Sequence, residues 1–234
     1  KRFIIMNNIC IIPARAESKR IKNKNIKKFF GKPIIYWSIK AAIESKCFSK
    51  VIISSDSKKI LKIASSFGGE KNNLRPKNLS KDTSSMDSVI KYEILKENKK
   101  RKIDNVCCII ATSPLISSKD IKKSFNILRK KKVDYVFSAS TYDAPIQRYF
   151  FINSKGFLIR RKMSELMKGS QNLKKAYHDA GQFYWASYKT FSSKINIYNG
   201  KSIPYYIPGF KSVDINNLED WKKAEAMFKI FKKY

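Results

Sequence analysis

Acidic residues are scarce: Asp and Glu number 18 against 50 Lys plus Arg, a formal net charge of +32 over 234 residues. Histidine occurs once, at His178, far in sequence from the four cysteines, so a zinc site of mixed His and Cys ligands is not expected. The cysteines, Cys10, Cys47, Cys107 and Cys108, form no C-x-x-C pair, and three of them lie inside apolar, strand-like runs. They read as buried free thiols of a reducing compartment, and a cytoplasmic location is the expectation. Long apolar runs are missing as well. Nothing approaches the roughly 20 consecutive apolar residues of a membrane span, so no membrane association is expected. The opening KRFIIMNNICIIPAR does not read as a secretory leader, because Asn7 and Asn8 interrupt its apolar run. Met6 is a candidate initiator, which would leave residues 1–5 outside the fold. Repeats, low-complexity linkers and a GxxxxGK[ST] phosphate loop are also lacking.

The 43% of apolar residues and 13% of aromatics exclude a wholly disordered chain, and the length suits one domain with a sizeable core. So high a charge raises the alternative of a basic nucleic-acid-binding protein, with steeply salt-dependent binding. Against it, the basic residues are 41 Lys and only 9 Arg, scattered along the whole chain. Ile (32) and Asn (16) both outnumber Ala (13), so the charge follows a general bias toward residues of A/T-rich codons. No nucleic-acid partner is expected, although a positive field still attracts small anions.

Apolar periodicity gives an alternating βαβα order. Strands are expected at 9–13, 51–55, 106–112 and 134–139. Helices are expected at 33–45 with Pro33 in the first turn, at 58–67 stopped by Gly68-Gly69, at 86–97, and at 119–130 capped by Ser117 or Ser118. Residues 141–180 are mixed, basic and without clear period. Order resumes with QFYWAS at 182–187 and IPYYIP at 203–208, and a last helix at 217–231 starts from Asn216 or Asn217. The pattern predicts an α/β fold, a mostly parallel sheet with helices on both faces, forming a single domain over 1–234 with an inserted arm at 141–180. Ligands of such sheets bind beyond the carboxyl ends of the strands. Asp56, at the end of the second strand, is expected to cap the helix that follows.

The loop after the first strand is the most unusual. It reads Pro13-Ala14-Arg15-Ala16-Glu17-Ser18-Lys19-Arg20-Ile21-Lys22-Asn23-Lys24-Asn25. Cations there can neutralise polyphosphate oxygens while main-chain N–H groups cradle the rest.

IIPARxxSKRxxxKNI with the GKPII segment at 31–35 resembles the opening of the cytidylyltransferases that activate acidic eight- and nine-carbon sugars. The similarity continues through VIISSDS at 51–57, LRP at 74–76, DTSSMDSVI at 82–90, ATSPLIS at 111–117 and VDINNLEDW at 213–221. Within the family, Ala111 before the TSP turn departs from the sialic acid branch. The run YHDAGQFYW at 177–185, with APIQR at 144–148 and SQNL at 170–173, is similar to the pseudaminic acid branch. Sialic acid and Kdo enzymes are the alternative branches.

The resemblance implies a three-layer, Rossmann-like fold of the nucleotide-diphosphosugar-transferase kind and transfer of CMP from CTP to a sugar's anomeric hydroxyl, with pyrophosphate released. It implies CTP contacts from Arg15, Ser18, Lys19, Asn25, Arg75, Ser84 and Ser85, with Arg15, Lys19 and Asp214 catalytic. For the acidic sugar it points to Gln147, Arg148, Gln171, Tyr177, His178, Asp179 and Gln182. Mg²⁺ would be held at Asp214 and Asn216. Relatives pair through the segment matching 141–180, so a homodimer is expected, with Phe150, Phe151, Leu158, Leu166 and Met167 at the contact. Two departures stand out. The family commonly has Asp-Ile-Asp where this chain has Asp214-Ile215-Asn216, and Gly-Gly where it has Ala16-Glu17.

Overall fold

The computed structural model describes residues 6–71, 74–159 and 170–231. Elements follow in the order β1 Asn8–Pro13, the short pair β2 Lys28–Phe29 and β3 Lys32–Pro33, α1 Ile35–Ser45, β4 Lys50–Ser54, α2 Lys58–Ser65, β5 Glu70–Lys71 and α3 Met86–Asn98. Next come β6 Asn105–Ile109, α4 Ser118–Lys130, β7 Tyr135–Thr141, the hairpin strands β8 Phe151–Ile152 and β9 Leu158–Ile159, β10 Tyr177–Ser187, α5 Tyr188–Ser192, β11 Ser202–Tyr206 and α6 Leu218–Phe231.

The main sheet runs β11-β7-β10-β6-β1-β4-β5. Every neighbouring pair is parallel except those of β10, which lies antiparallel between β6 and β7. Strands β1 and β6 read as continuous apolar runs because both faces are covered. One face packs Cys10, Ile12, Ile53, Cys107 and Ile109 against α1, α2 and α4, and the other packs Ile9, Ile11, Val106 and Cys108 against α3 and α5. The three strand cysteines are free and buried, and burial drives their thiol pKa values upward. Trp185 is fully buried and stacked between Phe48 and Phe125, with ring centroids 5.0 and 4.8 Å away. Trp185→Ala should cost about 3–5 kcal/mol of stability, the range for a buried aromatic truncation, measured by chemical denaturation.

Several expected boundaries move. Pro33 belongs to β3, and α1 begins two residues later. Strand β6 ends at Ile109 rather than 112: the Ile110 N–H donates to Gln182 O at 2.9 Å, and the chain then leaves the ladder toward the TSP turn. Helix α2 ends at Ser65, two residues before the expected 67, and the Gly68 and Gly69 N–H groups close its end by donating to Ser65 O and Ala64 O. Gly68 has φ +90°, a left-handed conformation open to glycine. Ser117 caps α4 in a capping box with Asp120. Asp56 does not cap α2; Ser57 does, accepting from Ile60 N.

The largest shift is in β10, which starts at Tyr177 and not at 182. Its ladder with β7 slips between Asp179 and Tyr184, around Gly181 at φ +61°. A bulge with a left-handed glycine breaks the period-2 pattern, which hides the strand from sequence reading. The rest of the expected arm holds the exposed hairpin β8–β9 and a short 3-10 turn at Ser170–Asn172. Leu166, Met167 and residues 1–5 lie outside the described residues.

Candidate active site

The site gathers at the carboxyl ends of β1 and β6. A cavity of about 340 Å³ is lined by residues that include Pro13, Arg15, Lys24, Asn25, Arg75, Asp82, Ser84 and Thr112. The loop after β1 owes its shape to three side chains. Asn25, itself buried, donates from Nδ2 to Arg15 O at 2.9 Å. The Asp56 carboxylate accepts from Ala16 N at 2.7 Å, so its task is to tie the loop to the end of β4. Lys24 reaches across the loop, and its Nζ donates to Ile215 O at 2.6 Å. Burial holds the Lys24 ammonium below the ordinary lysine range, with Asp214 opposing that shift. Asp56→Ala should therefore free the Ala16 N–H and loosen this loop with the fold intact, since one charge-assisted bond anchoring it is lost; amide hydrogen exchange at Ala16, about tenfold or more faster than in the wild type, with an unchanged circular dichroism spectrum would check this.

Arg75 is 5% exposed, and its guanidinium Nε donates to Ser80 Oγ at 3.3 Å. Burial lowers its pKa, opposed by the charges of Asp56 and Glu93. Ser84 and Ser85 divide two tasks. Ser84 lines the cavity, with its Oγ donating to Asn78 O, whereas Ser85 caps α3 by accepting from Ser88 N. Lys19 extends into solvent and pairs with Asp82 at 2.6 Å, and Arg15 pairs with the other oxygen of the same carboxylate. Ser18 is half-buried within the loop.

Asp214 is presented by an extended turn whose flanking side chains, Val213 and Ile215, are buried against Trp221 and Phe228. That alternation turns Asp214 outward. Asn217 caps α6, accepting from Asp220 N at 2.9 Å while Asp220 accepts from Asn217 N at 3.0 Å. Asn216 donates from Nδ2 to Asp214 Oδ2 at 2.7 Å, and its amide oxygen accepts from Arg20 Nη2 at 2.8 Å.

A second cavity, of about 320 Å³, shares Met86 with the first and is lined on its far side by Asp87, Tyr135, Asp179, Tyr184 and Tyr198 among others. Asp179 is fixed there, accepting from Tyr184 Oη at 2.7 Å and from Gly181 N at 2.8 Å. The other residues expected to meet a sugar are not gathered at this cavity. Gln182 is buried, its side-chain amide donating to Lys211 O. His178 Nδ1 lies 2.9 Å from Asp179 O, and its ring meets Tyr142. Tyr177 packs edge-on to Tyr206, Gln147 donates to Lys174 O at 2.8 Å, and Arg148 and Gln171 are exposed on the arm.

Sequence reading did not single out Asp82, Asp87 or Tyr184 as site residues. The DTSSMD and YHDAGQFYW runs contained them, but which side chains face a cavity depends on the turn before α3 and the bulge in β10.

A family model described as cytidylyltransferase matches residues 9–207. The chain belongs to the cytidylyltransferase family. This cytidylyltransferase is 35% identical over 226 residues to the pseudaminic acid cytidylyltransferase of Campylobacter jejuni, covering 96% of this chain and 97% of that protein. It is 34% identical to a Helicobacter pylori protein named for both pseudaminic acid cytidylyltransferase and a UDP-sugar hydrolase, covering 97% of this chain and 44% of that one. The zebrafish N-acylneuraminate cytidylyltransferase A is 29% identical. Among solved structures, a CMP:2-keto-3-deoxy-manno-octonic acid synthetase complexed with CTP superposes with TM-score 0.70 at 14% identity, covering 96% of this chain and 99% of that one. That likeness places this cytidylyltransferase in the same fold.

Proposed function

We infer that the chain transfers CMP from CTP to the anomeric hydroxyl of pseudaminic acid, a nine-carbon acidic sugar, and releases pyrophosphate. Two relatives of that name are 35% and 34% identical across 96% of the chain, and this carries the choice of sugar. The cationic loop over the first cavity supports the chemistry. The oxygen of the sugar hydroxyl bonds to the α-phosphorus and gives up its proton to solvent, while the bond from that phosphorus to the bridging oxygen breaks and its electron pair leaves with pyrophosphate. Arg15 and Lys24, which line the first cavity, and Lys19, which shares the Asp82 carboxylate with Arg15, are the cations we assign to the charge that grows on the leaving group. Arg75 and Ser84 line the nucleotide cavity, and Arg75, which is only a donor, suits the cytosine carbonyl. The second cavity, sharing Met86, is the seat we assign to the sugar. The test is pyrophosphate release from CTP with a panel of acidic sugars. Brisk release with pseudaminic acid is expected, and release with N-acetylneuraminic acid alone would reject the sugar assignment.

For the metal, Asp214 offers an exposed carboxylate beside the cationic loop, the hard oxygen chemistry that Mg²⁺ takes. Asn216 fits once its amide turns, because its oxygen is engaged by Arg20. When bound, Mg²⁺ would neutralise phosphate charge alongside the loop cations.

We further propose a cytoplasmic homodimer formed through the hairpin β8–β9. Phe150, Phe151, Ile152, Phe157, Leu158 and Ile159 are all exposed there, an apolar surface of the kind that marks an interface. Among the described residues no helix is long and apolar enough to cross a membrane. Light scattering at micromolar concentration should give a dimer, and Ile152→Asp with Leu158→Asp should give a monomer. A wild-type monomer with full activity would remove this part of the reading.

A further inference from the structure

Asp82 sits at the mouth of the nucleotide cavity with one oxygen on Arg15 Nη1 and the other on Lys19 Nζ. Its carboxyl is held below the usual carboxylate range by Lys19 first and Arg15 second. The residue lies on a turn in which the Ser84 N–H donates to Lys81 O and the Ser84 hydroxyl to Asn78 O. A single carboxylate thus spans the two loop cations that the proposed chemistry assigns to phosphate oxygens.

We propose that Asp82 is the resident counter-ion of the triphosphate seat: it holds Arg15 and Lys19 together in the free enzyme and is displaced by CTP. This rests on the reading of Arg15 and Lys19 as triphosphate cations. The carboxylate takes up Arg15 Nη1 and Lys19 Nζ, and phosphate oxygens drawn to the same N–H groups compete with it, anion against anion. Magnitude decides that the protein's own anion yields. Both pairs are solvent-exposed, with side-chain exposures of 40% for Arg15 and Asp82 and 69% for Lys19. Exposed pairs contribute little and are easily exchanged. A triphosphate brings more charge and more acceptor atoms to the same donors. In the free enzyme, Asp82 offsets the repulsion between Arg15 and Lys19. After transfer, its return to them would assist departure of pyrophosphate. Asp82 is therefore a positioning residue whose removal strengthens ligand binding, the reverse of what loss of a contact residue does.

The experiment is calorimetric titration of the full chain with CTP and, separately, with inorganic pyrophosphate, each with and without Mg²⁺. The variants are Asp82→Asn, Asp82→Ser, Glu17→Gln and Arg15→Ala. Glu17 is a control, since its charge also acts on Lys19. Asp82→Asn should bind both ligands about three- to tenfold more tightly, as expected for release of two exposed charge pairs. That gain should persist without Mg²⁺ and be shared by Asp82→Ser, while Glu17→Gln should shift binding by less than about twofold. Pyrophosphate should inhibit turnover of Asp82→Asn more strongly than of wild type. Unchanged or weaker binding in both Asp82 variants, with Arg15→Ala still impaired, would overturn the counter-ion role and leave the triphosphate seat standing. An equal gain in Glu17→Gln would also overturn it, since the effect would then belong to the general field. Wild-type affinity in Arg15→Ala would remove the seat itself, and the proposal with it.

Discussion

Arg15→Ala should lower kcat/KM about 10²- to 10³-fold, because deleting one preorganised donor to developing charge costs about 2.7–4 kcal/mol. The geometry makes this the position of choice. Arg15 lines the cavity, and the loop behind it is fixed from three sides, by Asn25 on its carbonyl, Asp56 on the next N–H and Lys24 bridging to Ile215. A cation on such a support reorganises little when charge moves onto the leaving pyrophosphate. Lys22→Ala is the comparison, since Lys22 is exposed on the same loop and is not among the residues lining the cavity. It should change kcat/KM by less than about twofold, the scale of a solvent-screened surface charge. Steady-state kinetics on the two variants decides the matter, and equal, small losses would mean that the loop is only a solvated basic surface.

Asp214→Ala should come close to abolishing turnover while leaving the fold intact. Asp214 is exposed, and the anchoring of its turn is done by its neighbours Val213 and Ile215, so truncation opens no core cavity. With a single carboxylate at the turn, Mg²⁺ should bind weakly to the free enzyme and much more strongly once CTP supplies phosphate oxygens. Asn216→Asp adds a second charged oxygen, and it should lower the Mg²⁺ concentration needed for half-maximal rate. Activity titrations against Mg²⁺ at saturating CTP measure both effects. An unchanged requirement in Asn216→Asp would separate residue 216 from the metal, and full activity in Asp214→Ala would dismiss the metal assignment.

The sequence by itself determined the α/β class, because runs such as VCCII and VIIS carry side chains for both faces of a sheet. It also brought two helix starts to within one residue, Ser117 or Ser118 and Asn216 or Asn217, since capping is a local exchange of hydrogen bonds, and the structure selects Ser117 with Asp120 and Asn217 with Asp220. The cationic loop was legible for the same reason, since its charges lie within a few positions of one another, whereas Asp214 stood out only through the resemblance of VDINNLEDW to the family, and its outward orientation between buried Val213 and Ile215 came from the structure. Tertiary structure alone decided the antiparallel placement of β10 and its bulge at Gly181, which turn Asp179 and Tyr184 into one cavity and bury Gln182 against Lys211. It also decided that Asp56 holds the Ala16 N–H, 40 residues away, rather than a helix end, and that Asp82 spans Arg15 and Lys19. Those contacts join strands and loops far apart in the chain, so they exist only once sheet order and register are fixed.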